Sequence, residues 1–256
     1  MRNVRCFLIL WTLISPLAYA LNQNESDELV KVIDERQGNS GDYKSLVYIE
    51  EKEKSKPTKN FEAMVYRRDQ DDKWMILFVR PSSEAGKGYL RVDKNLFLYD
   101  PATGKWERTT ERARIGGTNS QRSDFDQSKL SEEFSNTFIA EEKLGKFTAY
   151  HLKLIAKPKM DVAYPFIELW VDKETQNILK RQDFSLSAKL MRTIFYPQWT
   201  KVFSKSKGKD VFVPKEIRIF DEIEKENNTI VVLKDVNLDP LEENLFTKAW
   251  IEKKSK

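Results

Sequence analysis

Residues 61–80 read Phe61-Glu62-Ala63-Met64-Val65-Tyr66-Arg67-Arg68-Asp69-Gln70-Asp71-Asp72-Lys73-Trp74-Met75-Ile76-Leu77-Phe78-Val79-Arg80. Two runs rich in aromatic and β-branched residues flank a short polar stretch of hairpin-turn composition. A connection this short cannot contain a crossover helix, so strands joined this way run antiparallel. The same rhythm extends in both directions. The pattern predicts strands over 43–51, 61–68, 73–80, 88–92, 96–99 and 106–109, then over 136–142, 147–155, 166–171, 178–186, 190–196, 211–220 and 229–236. Asp100-Pro101-Ala102-Thr103-Gly104 and Asp172-Lys173-Glu174-Thr175-Gln176-Asn177 read as further turns. The expected object is one large antiparallel meander that curls.

One helix precedes the strands. Residues 25–36 carry Leu29, Val32 and Ile33 on one stripe, with Asp27 and Glu28 near the positive N-terminal end and Asn24 or Ser26 as the expected cap. Earlier still, Arg2 and Arg5 precede the apolar run Cys6 to Ile14, a Ser15-Pro16 break and the small-residue pattern Ala18-Tyr19-Ala20. This has the form of an export signal cut after Ala20, with an apolar run too short to span a bilayer. Cys6 precedes most of the apolar run rather than following the cut, which argues against a lipid anchor. Residues 21–256 are expected to form a single domain.

Composition narrows the function. With 44 Lys+Arg against 40 Asp+Glu, charge is nearly balanced, and loss of Arg2 and Arg5 lowers the formal net charge from +4 to +2. A polycation suited to nucleic acid is not indicated. Cys6 is the only cysteine, so the exported chain has neither disulfides nor thiol chemistry and must rely on burial for stability.

His151 is the only histidine; it alternates with apolar residues beside Lys153 and reads as solvent-facing. A zinc site needing two histidines is excluded. Nucleophile-elbow, dinucleotide and phosphate-loop motifs are absent. Asp69, Asp71 and Asp72 resemble a calcium loop only superficially, because its glycine and distal glutamate are missing. No catalytic residue, metal or cofactor is assigned. Lys201, Lys205, Lys207 and Lys209, and the basic end Glu252-Lys253-Lys254-Ser255-Lys256, read first as a soluble loop and a frayed tail. Their functional reading is weak attraction to anionic lipid headgroups or to an acidic partner.

Two runs break the one-sided alternation. Trp74 to Val79 and Leu96 to Tyr99 are apolar on both faces, which calls for cover by protein, a partner or a ligand. If part of the inner face lines a cavity for an apolar ligand, its wall is expected among Leu29, Val32, Ile33, Trp74, Ile76, Phe78, Leu96, Leu98, Leu152, Leu154, Ile167, Leu169, Ile217 and Ile219. For strands apolar on both sides the alternation leaves open which parity faces inward. The longest stretch without strand character, 110–131, holds Gly116-Gly117 and a short helix expected over 124–130 after Ser123. Gly116, Gly117 and Phe125 are its candidate lid residues.

The segment Gly88-Tyr89-Leu90-Arg91-Val92-Asp93-Lys94-Asn95-Leu96-Phe97-Leu98-Tyr99-Asp100-Pro101, followed by Ser123-Asp124-Phe125-Asp126, resembles the outer-membrane lipoprotein-sorting family, the LolA-like periplasmic carriers. Val213-Pro214-Lys215-Glu216 and Leu245-Phe246-Thr247 agree in order. The resemblance implies an unclosed antiparallel β-barrel wrapped around helices. It also implies an apolar cavity for acyl chains and a monomeric, non-enzymatic periplasmic carrier of lipoproteins or other lipids. An inner-membrane transporter would be the donor and an outer-membrane protein the acceptor. A lipid-sensing or interaction module on the same half-barrel is the alternative, and a lipid hydrolase using His151 a weaker third.

Overall fold

The computed structural model describes residues 20–39, 41–92, 95–109 and 113–255. Apart from Ala20, the export signal lies outside the described residues, as do 110–112 of the candidate lid. The strands are β1 (Asp42–Lys52), β2 (Lys59–Arg68), β3 (Lys73–Arg80), β4 (Gly88–Val92), β5 (Asn95–Asp100), β6 (Lys105–Thr109), β7 (Phe134–Leu144), β8 (Phe147–Ala156), β9 (Phe166–Asp172), β10 (Ile178–Phe184), β11 (Leu190–Ser204), β12 (Lys209–Asp221) and β13 (Asn228–Asn237). The helices are α1 (Gln23–Gln37), α2 (Leu130–Glu133) and α3 (Lys248–Lys254).

All thirteen strands join one sheet in the order β6-β5-β4-β3-β2-β1-β13-β12-β11-β10-β9-β8-β7. Every ladder is antiparallel, including β13 against β1, where the last strand returns beside the first. The edges β6 and β7 do not pair, so the sheet curls without closing. No described helix is long and apolar enough to cross a membrane.

Several expectations are corrected. Helix α1 starts at Gln23 and is capped by Asn22, not by Asn24 or Ser26. The Asn22 side chain accepts from the Glu25 amide at 3.0 Å, and Glu25 accepts from the Asn22 amide at 2.9 Å, a reciprocal capping box. Ser26 is instead buried, its hydroxyl bonded to Asn136 of β7. The buried stripe is Ser26, Leu29, Val30 and Ile33, and Val32 is only half-buried. Strand β10 ends at Phe184, leaving Leu186 exposed in the turn. Strand β11 continues past Tyr196 through Pro197, which is tolerated because the ladder to β12 shifts register between Phe195 and Trp199. Residues 124–130 do not form a helix; a 3₁₀ turn at Arg122–Asp124 and α2 take its place.

As far as Ser255, the basic end is not frayed: Lys253 and Lys254 belong to α3. Ile251 of α3 is fully buried against the outer face of β2 to β5, where it packs with Tyr66, Met75, Leu77, Leu90 and Tyr99. The helix approaches so closely that a Cβ on Gly88 would meet Ile251 Cγ2 at 2.8 Å. Trp106 Nε1 donates to Glu252 at 2.7 Å and Arg68 grips Asp42, which in turn accepts from the Leu241 amide at 2.7 Å. This accounts for β3 being apolar on both faces. Trp74, Ile76 and Phe78 point inward, while Met75 and Leu77 lie under the C-terminal segment.

Candidate functional site

Two inner apolar clusters flank the interior. One joins β1 to β5 with β12 and β13 and includes Trp74, Ile76, Phe78, Leu96, Leu98 and Ile217. The other packs α1 on β7 to β10 and includes Leu29, Ile33, Leu152, Leu154, Ile167 and Leu169. Cross-strand register sets the second parity: Leu152 faces Leu169 and Leu154 faces Ile167. Ile219 is buried beside Arg192 in a separate recess of about 280 Å³.

Between the clusters lies a cavity of about 390 Å³. Of the residues expected on its wall, only Ile217 borders the open space. Most of the others fill the packing on either side, whereas Ile219 lines the separate recess and Val32 belongs to neither cluster. Its lining includes the apolar Leu130, Phe134, Ile178, Ile194, Val211 and Val213 together with the charged Arg67, Arg91, Arg122, Asp72, Asp126 and Lys129. The sequence reading of a wholly apolar lining therefore changes to one that is half polar.

The charged lining residues form a chain of ion pairs. Arg91 clamps Asp72 with bonds of 2.7 and 3.0 Å, and its Nε is 3.2 Å from Asp126. Arg67 clamps Asp69 at 2.8 and 2.7 Å. Deeper in, Arg192 donates two bonds to Asp124, at 2.9 and 2.7 Å, and one to Asp183 at 2.6 Å, which Arg181 also reaches at 2.6 Å. Burial alone would raise Asp183, but Arg181 and Arg192 outweigh it and hold the carboxyl below its ordinary value. Asp72 is likewise lowered, because Arg91 and Lys129 overcome its desolvation. Asp126 and Glu133 go the other way, pushed up mainly by burial. Burial lowers Arg122, and it pushes the Tyr196 phenol up to about 12.

The candidate lid is anchored at several points. Ile115 is fully buried, and Gly116 adopts φ +62° with its amide donating to Tyr89 Oη at 2.9 Å. A Cβ on Gly116 would meet Phe78 Cζ at 2.5 Å, so this glycine permits a close approach rather than a swinging loop. Gly117, at φ +73°, faces open space. Asn119 donates to buried Glu51 through its side chain at 3.0 Å and to Thr229 through its amide at 2.9 Å. Phe125 leans on Trp74 with ring centroids 5.8 Å apart.

His151 is on the opposite face from Leu152 and so away from the cavity. It is not simply solvent-facing: it stacks on Trp170 at 4.1 Å and contacts Glu168 at 3.2 Å. The lysine group is also engaged, with Lys201 on Asp210, Lys209 on Glu35 and Lys207 on the Gly38 carbonyl. Asp69 and Asp72 are occupied by arginines, and no described group of three or more metal-binding side chains converges.

The charged lining was missed by the sequence reading, although a signal existed. Arg67 follows Phe61, Ala63 and Val65 at the same parity, and Arg91 follows Tyr89, so strict alternation places both inside.

An open antiparallel sheet with a helix and a long connecting loop folded onto its inner face defines the LolA-like class of lipoprotein-sorting folds, and solved structures share it. A domain described as an outer membrane lipoprotein-sorting protein from Vibrio parahaemolyticus is 18% identical, covering 90% of this chain and 100% of that one at a TM-score of 0.78. A DUF1329 family protein from Desulfovibrio piger is 18% identical over 90% and 98%, with a TM-score of 0.79. A LolA superfamily protein from Nitrosomonas europaea is 17% identical over 90% and 100%, with a TM-score of 0.73. A family model described as an uncharacterized protein matches residues 70–253, and the chain belongs to that family. No curated protein matches the sequence.

Proposed function

We propose that this protein is a periplasmic carrier that holds the acyl chain of a lipoprotein or another lipid and delivers it toward the outer membrane. The observation that carries the reading is the cavity of about 390 Å³ between two inner apolar clusters of a LolA-like sheet. Burying a methylene contributes about 0.8 kcal/mol, so a long acyl chain cannot cross water unaided at a cost on the order of 12 kcal/mol. A carrier needs enough apolar lining to receive the chain and an acceptor that binds more tightly, and no covalent chemistry. The export signal at residues 1–20 supports cleavage after Ala20 and periplasmic residence. An inner-membrane transporter as donor and an outer-membrane protein as acceptor complete the route, with the protein acting as a monomer and as a single domain over 21–256.

Protein purified from the periplasm is expected to bind an environment-sensitive fluorescent fatty acid and to release it to a competing acylated peptide. Absence of binding overturns the carrier.

A further inference from the structure

Large apolar side chains left in water are concentrated at one end of the sheet. The antiparallel order brings the C-terminal ends of β3, β8, β10 and β12 to the same end. Val79 and Ile155 stand at the ends of β3 and β8, Met160 in the β8–β9 connection, Leu186 in the β10–β11 turn and Ile223 in the β12–β13 turn. Of the seven large apolar side chains exposed among the described residues, only Ile139, within β7, and Phe203, near the far end of β11, lie elsewhere. The three connections from β8 to β13 neighbour one another, because these strands are consecutive in the sheet.

Built turns hold these side chains out. At Leu186, which is 82% exposed, the Ser185 amide donates to the Lys189 carbonyl and the Ala188 amide to the Ser185 carbonyl, each at 2.9 Å. At Ile223, 40% exposed, its own amide and that of Glu224 both donate to Asp221 Oδ1, at 2.8 and 3.0 Å. Small and polar residues ordinarily fill such positions. Three neighbouring connections that each present a separate apolar side chain offer contact spread over a surface, not a groove for one segment of a partner chain. Met160 is 46% exposed and also borders the cavity, so this end is continuous with the ligand compartment. Segments 155–161, 185–189 and 222–226 hold four lysines and four carboxylates, so the contact they offer is apolar rather than electrostatic.

We propose that this end is the face with which the protein touches a phospholipid bilayer. Leu186, Ile223 and Met160 enter the layer between headgroups and acyl chains, where binding scales with the apolar area buried. The bilayer contact stands on the turns alone. Its use, loading or unloading an acyl chain through the cavity beside Met160, rests on the carrier reading above.

The test is co-flotation of protein purified from the periplasm with vesicles of phosphatidylcholine alone and of phosphatidylethanolamine with phosphatidylglycerol, in low and high salt. Both should bind it, and salt should change the affinity less than about twofold. Leu186→Asn combined with Ile223→Asn, both at exposed turn positions, should weaken vesicle binding about tenfold or more. The same variant should keep the wild-type unfolding midpoint and the wild-type affinity for a fluorescent fatty acid. Phe203→Asn, at the opposite end, should leave vesicle binding unchanged. No vesicle binding by the wild type, binding that survives the double variant, binding only to anionic vesicles in low salt, or a loss that follows Phe203 each overturns the docking face. The carrier stands in those cases if the fatty acid still binds. Vesicle binding that depends on Leu186 and Ile223 without fatty-acid binding keeps the face and overturns the carrier. Binding of neither overturns both.

Discussion

Trp74 Nε1 donates a 2.6 Å hydrogen bond to Asp126 Oδ1, tying the loop after β6 to the inner face of β3. The bond joins a residue of an inner apolar cluster to a carboxylate that lines the cavity.

That bond makes Asp126 the place to look for pH dependence. Its folded-state pKa is raised above the ordinary 3.8 by burial. The stability it contributes is therefore fully present below that value and is lost as pH rises through the folded-state pKa. Asp72 and Asp183 are lowered, so their contributions are lost only as pH falls below the ordinary range. Denaturant midpoints followed upward from pH 3.8 should decline less in Asp126→Asn than in the wild type. Parallel curves would contradict the assignment.

Asp183 is fully buried between two guanidinium groups. Asp183→Asn leaves Arg181 and Arg192 with an uncompensated buried charge and should cost about 3–5 kcal/mol in denaturant unfolding. A loss below about 1 kcal/mol, the scale of a surface pair, would show that solvent reaches this pair.

Gly116 and Gly117 should separate cleanly. Gly116→Ala meets both a positive φ and the Phe78 ring, and should cost about 2–4 kcal/mol. Gly117→Ala meets only the positive φ and should cost about 1–2 kcal/mol. Equal losses by thermal or denaturant unfolding would show that the Phe78 contact yields.

Ile251→Ala tests whether the C-terminal helix is part of the core. A fully buried isoleucine over Met75, Leu77 and Leu90 should cost about 2–5 kcal/mol on truncation. An unchanged midpoint would mean that α3 adds nothing to the stability of the sheet.

Much of this protein was determined by short stretches of its sequence. Strands β3 and β4 begin and end where their β-rich runs and flanking turns predict, because strand propensity is local and a hairpin is closed by neighbours in the chain. The antiparallel class, and the need to cover both faces of Trp74 to Val79, follow from the same local rules. What covers the second face was decided only in three dimensions: Ile251 reaches Leu77 across most of the chain, and a lysine-rich tail shows no long apolar pattern. The polarity of the cavity was decided the same way. Arg192 meets Asp124 across 68 positions and Trp74 meets Asp126 across 52. A buried charge is tolerable only beside its partner, and no local pattern of residues specifies a partner that distant. Alternation alone therefore placed Arg67 and Arg91 on the inner face, and Asp69 meets Arg67 from only two positions on, whereas Asp126 beside Arg91 and Asp124 beside Arg192 are brought there by the fold.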